Sequence, residues 1–323
     1  MIQRRALGRL LAGAALAPAA ARGQGAYPDR PVRIVVPYAP GGANDILARL
    51  YGQKMGERLG QPFVTENRPG AQAIVGTEAV ARARPDGTTL LLGPSGPMVF
   101  NPATYAQLSY DPQRDLAPVS MLASYPLVLV VAAGSPHRSV AELVEWARAN
   151  PDRANYGAAA AAFQLPSELF NQRAGTRFQH VAYRGSAEMV SAAASGEVTF
   201  SMADPGPAVV GLQAGRVRAL AVTAPQRVAA LPDVPTMAEL GFPDLQVTLW
   251  AGLFAPAGTP PAIIERLHVE CATITAMPDI RQRVASFGMD PVGSPPAALR
   301  EVMAREIPLW TGVARAANIQ MER

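Results

Sequence analysis

The sequence predicts an α/β protein of two lobes, and three observations carry that expectation. Strand and helix patterns alternate along the chain, the alternation breaks near Met121–Pro126 and resumes, and three closing helices have no strands of their own. A chain of 323 residues is also more than one simple core accommodates. At 49% apolar and 17% charged residues the composition is that of ordinary globular material rather than a disordered chain.

The first series opens with Val32–Val36, a continuous β-branched apolar run of the kind found in strands covered on both faces. Asp45–Leu59 follows with a helical apolar stripe and ends at Gly60, where a C-terminal cap belongs. Pro62–Glu66 reads as a short strand, Ala71–Ala83 as a helix stopped by Pro85-Asp-Gly87, and Thr88–Leu92 as a third strand. Three such steps in close succession argue for a parallel sheet.

The second series begins after Pro126. Its strands are Leu127–Val131, Ala154–Gly157, Gln179–Tyr183, Val198–Met202 and Ala219–Thr223, and its helices are Val140–Ala149, Pro166–Arg173, Ala187–Ala194 and Ala208–Gln213. A loop-rich stretch beyond Pro225 leads to an apolar strand at Val247–Phe254. The closing helices, Pro261–Met277, Asp279–Phe287 and Pro296–Ala317, must then return to the first sheet. The expected division is one lobe of residues 27–123 plus 249–323, a second lobe of 124–248, and a hinge of two crossings with a ligand cleft between the lobes.

Residues 1–26 stand apart as an export signal: Arg4, Arg5 and Arg9 precede the Ala/Leu/Gly stretch Leu10–Ala21, which is too short to span a bilayer. Cleavage is expected after small residues at Ala19 and Ala21 or Gly23 and Gly25, and Arg4-Arg5 is compatible with either twin-arginine or general export. Of the 29 basic residues, Arg4, Arg5, Arg9 and Arg22 are the whole excess, so the exported chain balances 25 basic against 25 acidic residues. Its basic isoelectric point therefore says nothing about nucleic acid, and no basic run supports such a partner. The lone Cys271 lies on the apolar stripe of a helix, has no disulfide or CxxC partner, and is expected to be a buried thiol.

The chemistry sits at strand-to-helix turns. Pro40-Gly41-Gly42-Ala43-Asn44-Asp45 joins the first strand to the first helix, where backbone N–H groups and the positive end of a helix dipole suit a small anion. A tight turn needing glycine for positive φ, with Asn44 or Asp45 as the cap, fits the same residues. Asp45 would repel an anion and is assigned to capping, with Arg49 as its i,i+4 partner. Arg184-Gly185-Ser186 repeats the arrangement in the second series, with Ser186 placed as an N-cap and Arg184 available to an anion.

Gly93-Pro-Ser95-Gly96 places Ser95 and Gly96 at a strand's carboxyl end, and Asp204 ends another strand, where it suits a ligand hydroxyl or ammonium as well as a turn before Pro205. No Gly-Lys-Ser/Thr follows the double glycine, GxGxxG spacing is missing, and Pro97 breaks the nucleophile-elbow pattern around Ser95. His137, His180 and His268 are isolated from one another and lack metal-ligand spacing. No metal, cofactor or enzymatic activity is expected.

Several segments together resemble a known family. Tyr27-Pro-Asp-Arg-Pro-Val-Arg-Ile-Val-Val-Pro-Tyr-Ala-Pro-Gly-Gly-Ala-Asn-Asp45, Glu66-Asn-Arg-Pro-Gly70, Val181-Ala-Tyr-Arg-Gly-Ser186, Arg218-Ala-Leu-Ala-Val-Thr223, Leu231-Pro-Asp-Val-Pro-Thr236 and Gly252-Leu-Phe-Ala-Pro-Ala-Gly-Thr-Pro260 are similar to the Bug receptors. These are the solute-binding proteins of tripartite tricarboxylate transporters, and the similarity runs from Tyr27 to the C-terminus. The resemblance implies a type II-like periplasmic binding protein, a monomer that closes on a small organic carboxylate and presents it to membrane transporter subunits. Docking of the liganded lobes on a membrane sensor kinase is the alternative. It also implies that one carboxylate is held by backbone groups and waters at Ala39–Asp45 and Arg184–Ala187, while Tyr38, Gly93–Met98, Tyr156–Gln164 and Asp204 select the rest of the ligand.

The chain departs from the family at the selective segment. Tyr156-Gly157 is followed by Ala158–Ala162, Phe163 and Gln164 where Ser, Gly and Asn are usual, and Pro94 and Pro97 stand where Thr or Ser is frequent. A buried pocket short of donors penalises ligands with many polar groups by about 1–3 kcal/mol for each unpaired group. The departure implies a carboxylate with an apolar or aromatic body, near Phe163.

Overall fold

A computed structural model describes residues 27–320. The export-signal reading lies outside the described residues. Two sheets organise the chain. The first runs β11-β4-β10-β3-β1-β2, with β1 Val32–Val36, β2 Phe63–Asn67, β3 Thr89–Pro94, β4 Leu116–Pro126, β10 Thr248–Pro256 and β11 Asp290–Pro291. The second runs β7-β6-β8-β5-β9, with β5 Val128–Ala132, β6 Asn155–Ala158, β7 Gln179–Ala182, β8 Phe200–Ala203 and β9 Val217–Val222.

The helices are α1 Ala43–Leu59, α2 Ile74–Ala81, α3 Asn101–Thr104, α4 Val140–Ala149, α5 Ala161–Ala174, α6 Ser186–Ser195, α7 Pro205–Gln213, α8 Pro261–Ala276, α9 Pro278–Ala285 and α10 Pro296–Ala316. A π-helical turn at Gly96–Phe100 leads into α3. Among the described residues no helix is long and apolar enough to cross a membrane.

The chain forms a two-lobe α/β protein with two crossover segments, and neither sheet is purely parallel. β1 pairs in parallel with β2 and β3, but β10 runs antiparallel to both β3 and β4. In the second sheet β6 is parallel to β7 and β8, whereas β5 runs antiparallel to β8 and β9. The reason is the exchange of strands: β5 enters the second sheet from the first, β10 enters the first from the second, and each arrives opposite to its hosts.

Sequence patterning gave only a crossing near Met121–Pro126 and missed the strand β4, which has Pro118 within it and Pro126 at its end. β4 carries Pro118 opposite Phe254, next to an irregularity in register, and only β11 at Ser124 and Ala123 covers its other side. Helices α1, α5 and α7 start two to five residues earlier than expected. α5 begins at Ala161 and takes Pro166 into its body, and α7 begins with Pro205 in the first turn, where a missing N–H costs nothing. α2 starts later, because Ala71, Gln72 and Ala73 all adopt positive φ, at 46°, 53° and 72°.

α8 packs on β4 and α1, whereas α10 packs on β4, α3 and also α5 of the second lobe. Cys271 is fully buried in α8 among core residues, and burial pushes its thiol pKa up.

At the hinge, buried Thr223 ties the two crossings together. Its N–H donates to Leu127 O at 2.9 Å, Val247 N–H donates to its carbonyl at 3.0 Å, and its hydroxyl accepts from Leu127 N–H at 2.8 Å while donating to Val247 O. Thr223→Val removes the hydroxyl and leaves one buried donor and one buried acceptor unpaired. A loss of about 2–4 kcal/mol in denaturant unfolding is expected, largely recovered in Thr223→Ser. Unchanged stability in Thr223→Val would show that the hydroxyl bridge carries no part of the hinge.

Candidate carboxylate-binding site

A cavity of about 640 Å³ lies between the lobes, a volume suited to a small molecule. Its walls come from the carboxyl ends of strands in both sheets: Tyr38 and Ala39 after β1, Pro94 and Ser95 at β3, Ala159 after β6, Tyr183 after β7 and Asp204 after β8. Four helices begin on this wall. Gly42–Asp45 open α1, Ala159–Ala162 open α5, Gly185 and Ser186 open α6, and Asp204 precedes α7. Each contributes roughly half a positive charge at its start, and together they favour an anion.

The starts of α1 and α6 are built alike. Gly42 and Gly185 are the N-caps, and neither helix has a side-chain cap. In each, the third helical residue reaches back past the cap. The Asp45 carboxylate accepts from Gly41 N–H and the Glu188 carboxylate from Arg184 N–H, both at 3.0 Å. The first-turn amides are thereby left to the cavity. This corrects two expectations: neither Asn44 nor Asp45 is the cap residue of α1, and Ser186 is not the cap of α6. Ser186 Oγ instead accepts from Asp204 N–H at 2.9 Å.

The glycines separate into two kinds. Gly41 has φ of +89° and serves the turn. Gly42 and Gly185 have φ of −79° and −174°, conformations open to any residue. An added Cβ at either would meet nothing within 4 Å. Neither backbone strain nor packing requires glycine there, and both positions face the cavity, which leaves close approach of a ligand to the backbone as what glycine permits.

Asp45 carries a negative charge at the edge of this cradle, but it is fully engaged. Arg49 Nε lies 3.1 and 3.0 Å from its two carboxyl oxygens, and Asn67 Nδ2 donates at 3.0 Å. Burial pushes its pKa up, yet the bonds from Arg49, Gly41 N–H and Asn67 outweigh it and hold the carboxyl below its ordinary value. Asn67 also donates to Tyr38 O at 3.1 Å, so one amide fixes the loop and the carboxylate together. Its position in Glu66-Asn-Arg-Pro-Gly70 was a signal of importance without a role attached.

Of the expected site residues, Tyr38, Gly42, Ala43, Asn44, Asp45, Ser95, Gly96, Phe163, Arg184, Gly185, Ser186 and Asp204 line this one cavity. Pro40, Gly41, Ala158 and Gln164 do not. Pro40 and Gly41 form the outer limb of the turn, with the Gly41 amide tied to Asp45. Ala158 is the buried last residue of β6, its carbonyl accepting from Tyr183 N–H. Gln164 falls within the first turn of α5 because that helix starts at Ala161, and its N–H is bonded to Ala160 O.

The cavity also takes in Gln72, Asn101, Tyr125, Tyr183 and Leu249, which sequence reasoning did not assign. Tyr125 and Leu249 lie on the two crossings, a position that makes them natural wall residues. Gln72 is presented by the left-handed turn at Ala71–Ala73 and held through its carbonyl by Asn101 Nδ2 at 2.8 Å, a device with no sequence signature. Tyr125, Leu249, Phe163 and Ala159–Ala162 give the wall a largely apolar stretch. Arg184 is exposed at its rim and makes no salt bridge among the described residues.

A cleft between two exchanged-strand lobes, lined at the strands' carboxyl ends, defines a periplasmic binding protein: a receptor for a solute rather than an enzyme. The chain belongs to the tripartite tricarboxylate transporter family receptors, whose family pattern matches residues 47–318. It is 34% identical over 299 residues to protein BugT of Bordetella pertussis, covering 92% of each chain. Among solved structures it resembles a Rhodopseudomonas palustris protein with adipate, at TM-score 0.82 and 34% identity, over 91% of this chain and 99% of that one. It also resembles MatC from Rhodopseudomonas palustris with bound malate, at TM-score 0.78 and 32% identity, over 89% and 99%. The periplasmic binding protein BugD gives TM-score 0.79 at 30% identity, over 92% and 100%.

Asp204 is the site's uncompensated charge. Burial raises its pKa from 3.8 to about 6, opposed in part by a hydrogen bond with Ser186. The groups facing it, the Tyr38 and Tyr125 phenols, stay protonated, their pKa values pushed up by burial and by Asp204 itself. An acid with a raised folded-state pKa costs no stability below its unfolded pKa, and costs progressively more as pH rises to its folded one. Asp204→Asn should therefore match wild type near pH 4 and gain on the order of 1–3 kcal/mol at pH 7.5, measured by urea denaturation. A gain that is equal at both pH values contradicts this environment for Asp204.

Proposed function

We propose that this protein is an exported receptor that captures a small organic carboxylate between its lobes and delivers it to the membrane subunits of a tripartite tricarboxylate-type transporter. The ligand's carboxylate accepts hydrogen bonds from the first-turn amides of α1 and α6, directly or through water. The observation that carries this reading is the pair of glycine N-caps, Gly42 and Gly185. They lie in different lobes, on one cavity, without side-chain caps and without any conformational need for glycine.

Closure follows from the same geometry. A carboxylate bound to one lobe alone satisfies half of its acceptors, so the ligand stabilises the arrangement in which both helix starts reach it. The apolar wall of Ala159–Phe163, Tyr125 and Leu249 receives an aliphatic or aromatic body. Two of the similar solved proteins carry adipate and malate, acids of the size this cavity accommodates. Residues 1–26 supply the export signal, and the working protein is a periplasmic monomer.

Gly185→Val places a branched side chain between the two helix starts. Binding in a calorimetric panel of acids should fall by at least about 100-fold, while the melting temperature of the ligand-free variant stays within a few degrees of wild type, because nothing lies within 4 Å of the added Cβ. Equal loss of binding and of ligand-free stability would reduce the turn to a structural element. In the same panel, aromatic or longer-chain acids should bind more tightly than citrate or glutamate, and the reverse order would overturn the apolar-body assignment.

A further inference from the structure

A second and smaller crevice, of about 80 Å³, also bridges the lobes. Pro205, Val209 and Leu231 line it from the second lobe, and Ala285, Gly288 and Met289 line it from the first. Single steps along the chain separate it from the ligand cavity. Tyr125 lines the cavity and Pro126 the crevice, and Asp204 lines the cavity and Pro205 the crevice. A crossing strand and the start of α7 therefore form a partition with the ligand cavity on one side and the crevice on the other.

Gly288 makes a close approach across the crevice. It follows α9 with φ of +72°, and it faces Pro205, the first residue of α7. A Cβ built on Gly288 would stand 2.7 Å from Pro205 Cβ, 3.6 Å from Pro205 Cγ and 3.8 Å from Gly206 N. These nearest atoms all belong to the other lobe, so glycine serves the meeting of the lobes as well as its own backbone angle. The walls around this contact are largely apolar, and their burial holds the lobes together along this edge.

On the ligand side the lobes stand apart. Gly42, Ala43, Arg184 and Ala187, at the starts of α1 and α6, are exposed. Turning the lobes about the crossings to bring these starts together parts the lips of the crevice behind them. Closure on a ligand and packing in the crevice therefore compete.

We infer that Pro205 and Gly288 are positioning residues that set the receptor's affinity without touching the ligand: their contact across the crevice stabilises the open arrangement, and closure breaks it. This inference rests on the closure reading of the proposed function. Its consequence has a distinctive sign. Damage to the crevice removes a competitor of closure and tightens binding, because apparent affinity rises with the fraction of protein in the binding-competent arrangement. A contact that serves only the fold gives no such gain.

Gly288→Ala drives a Cβ into Pro205. Gly60→Ala is its control: Gly60 has φ of +73° and an added Cβ there meets nothing within 4 Å, so it carries the same left-handed strain without the wedge. Ala285→Phe, at the exposed last residue of α9, wedges the crevice from a helical position. Calorimetry with malate, adipate and 3-phenyllactate is made on the full exported chain. For each acid that binds wild type, Gly288→Ala and Ala285→Phe should tighten binding about 3- to 30-fold, and Gly60→Ala should leave it unchanged. Small-angle X-ray scattering without ligand should give a smaller radius of gyration for the two crevice variants than for wild type and Gly60→Ala.

Affinity at or below the wild-type level in either folded crevice variant overturns the inference while leaving the carboxylate reading in place. Failure of all three acids to bind well-folded wild type counts against the carboxylate reading. The scattering radii then decide the inference, which falls if the crevice variants keep the wild-type radius.

Discussion

The structure depends on unsatisfied backbone N–H groups at the starts of α1 and α6. A helix leaves its first amides without internal partners, and proteins usually spend a side chain on them. Here glycine holds both cap positions and no side chain caps either helix. Asp45 and Glu188 stabilise the turns by gripping the amide before the cap, which fixes the loop and keeps the carboxylates off the first-turn amides. The remaining N–H groups are left to solvent or to the anion of the proposed function.

Topology brings those two starts together. Both follow the carboxyl ends of parallel strands, β1 and β7, and the exchange of β5 and β10 between the sheets turns those ends toward one cleft. The exchange also confines the connection between lobes to two crossings, where Thr223 bonds to both neighbours through backbone and hydroxyl alike. The two crossings and the packing of α10 on α5 join the lobes, and under the proposed function the ligand contributes the contacts that favour closure.

Much of this was legible in the sequence because its signals are local. Val32–Val36 followed by two glycines and a helical stripe marks a strand, a turn and a helix, and Arg184-Gly185-Ser186 repeats the pattern. What stayed hidden depends on partners distant in the chain. β4 reads as a proline-broken stretch until β10 is beside it, and Gln72 reaches the cavity only through a left-handed turn braced by Asn101. Which glycine serves the backbone and which serves the ligand was equally invisible. That distinction needs φ and the space around a Cβ, and it separates Gly41 from Gly42.

The central claim is that first-turn amides from both lobes share one carboxylate, and amide NMR on glycine-labelled protein reads the cap residue beside each set of amides individually. Titration with malate or 3-phenyllactate should shift the Gly42 and Gly185 amides together, with one dissociation constant. The Gly41 amide, already bonded to Asp45, should move little. Movement of only one of the pair, or of neither while binding is saturated, would contradict a carboxylate held between the two helix starts.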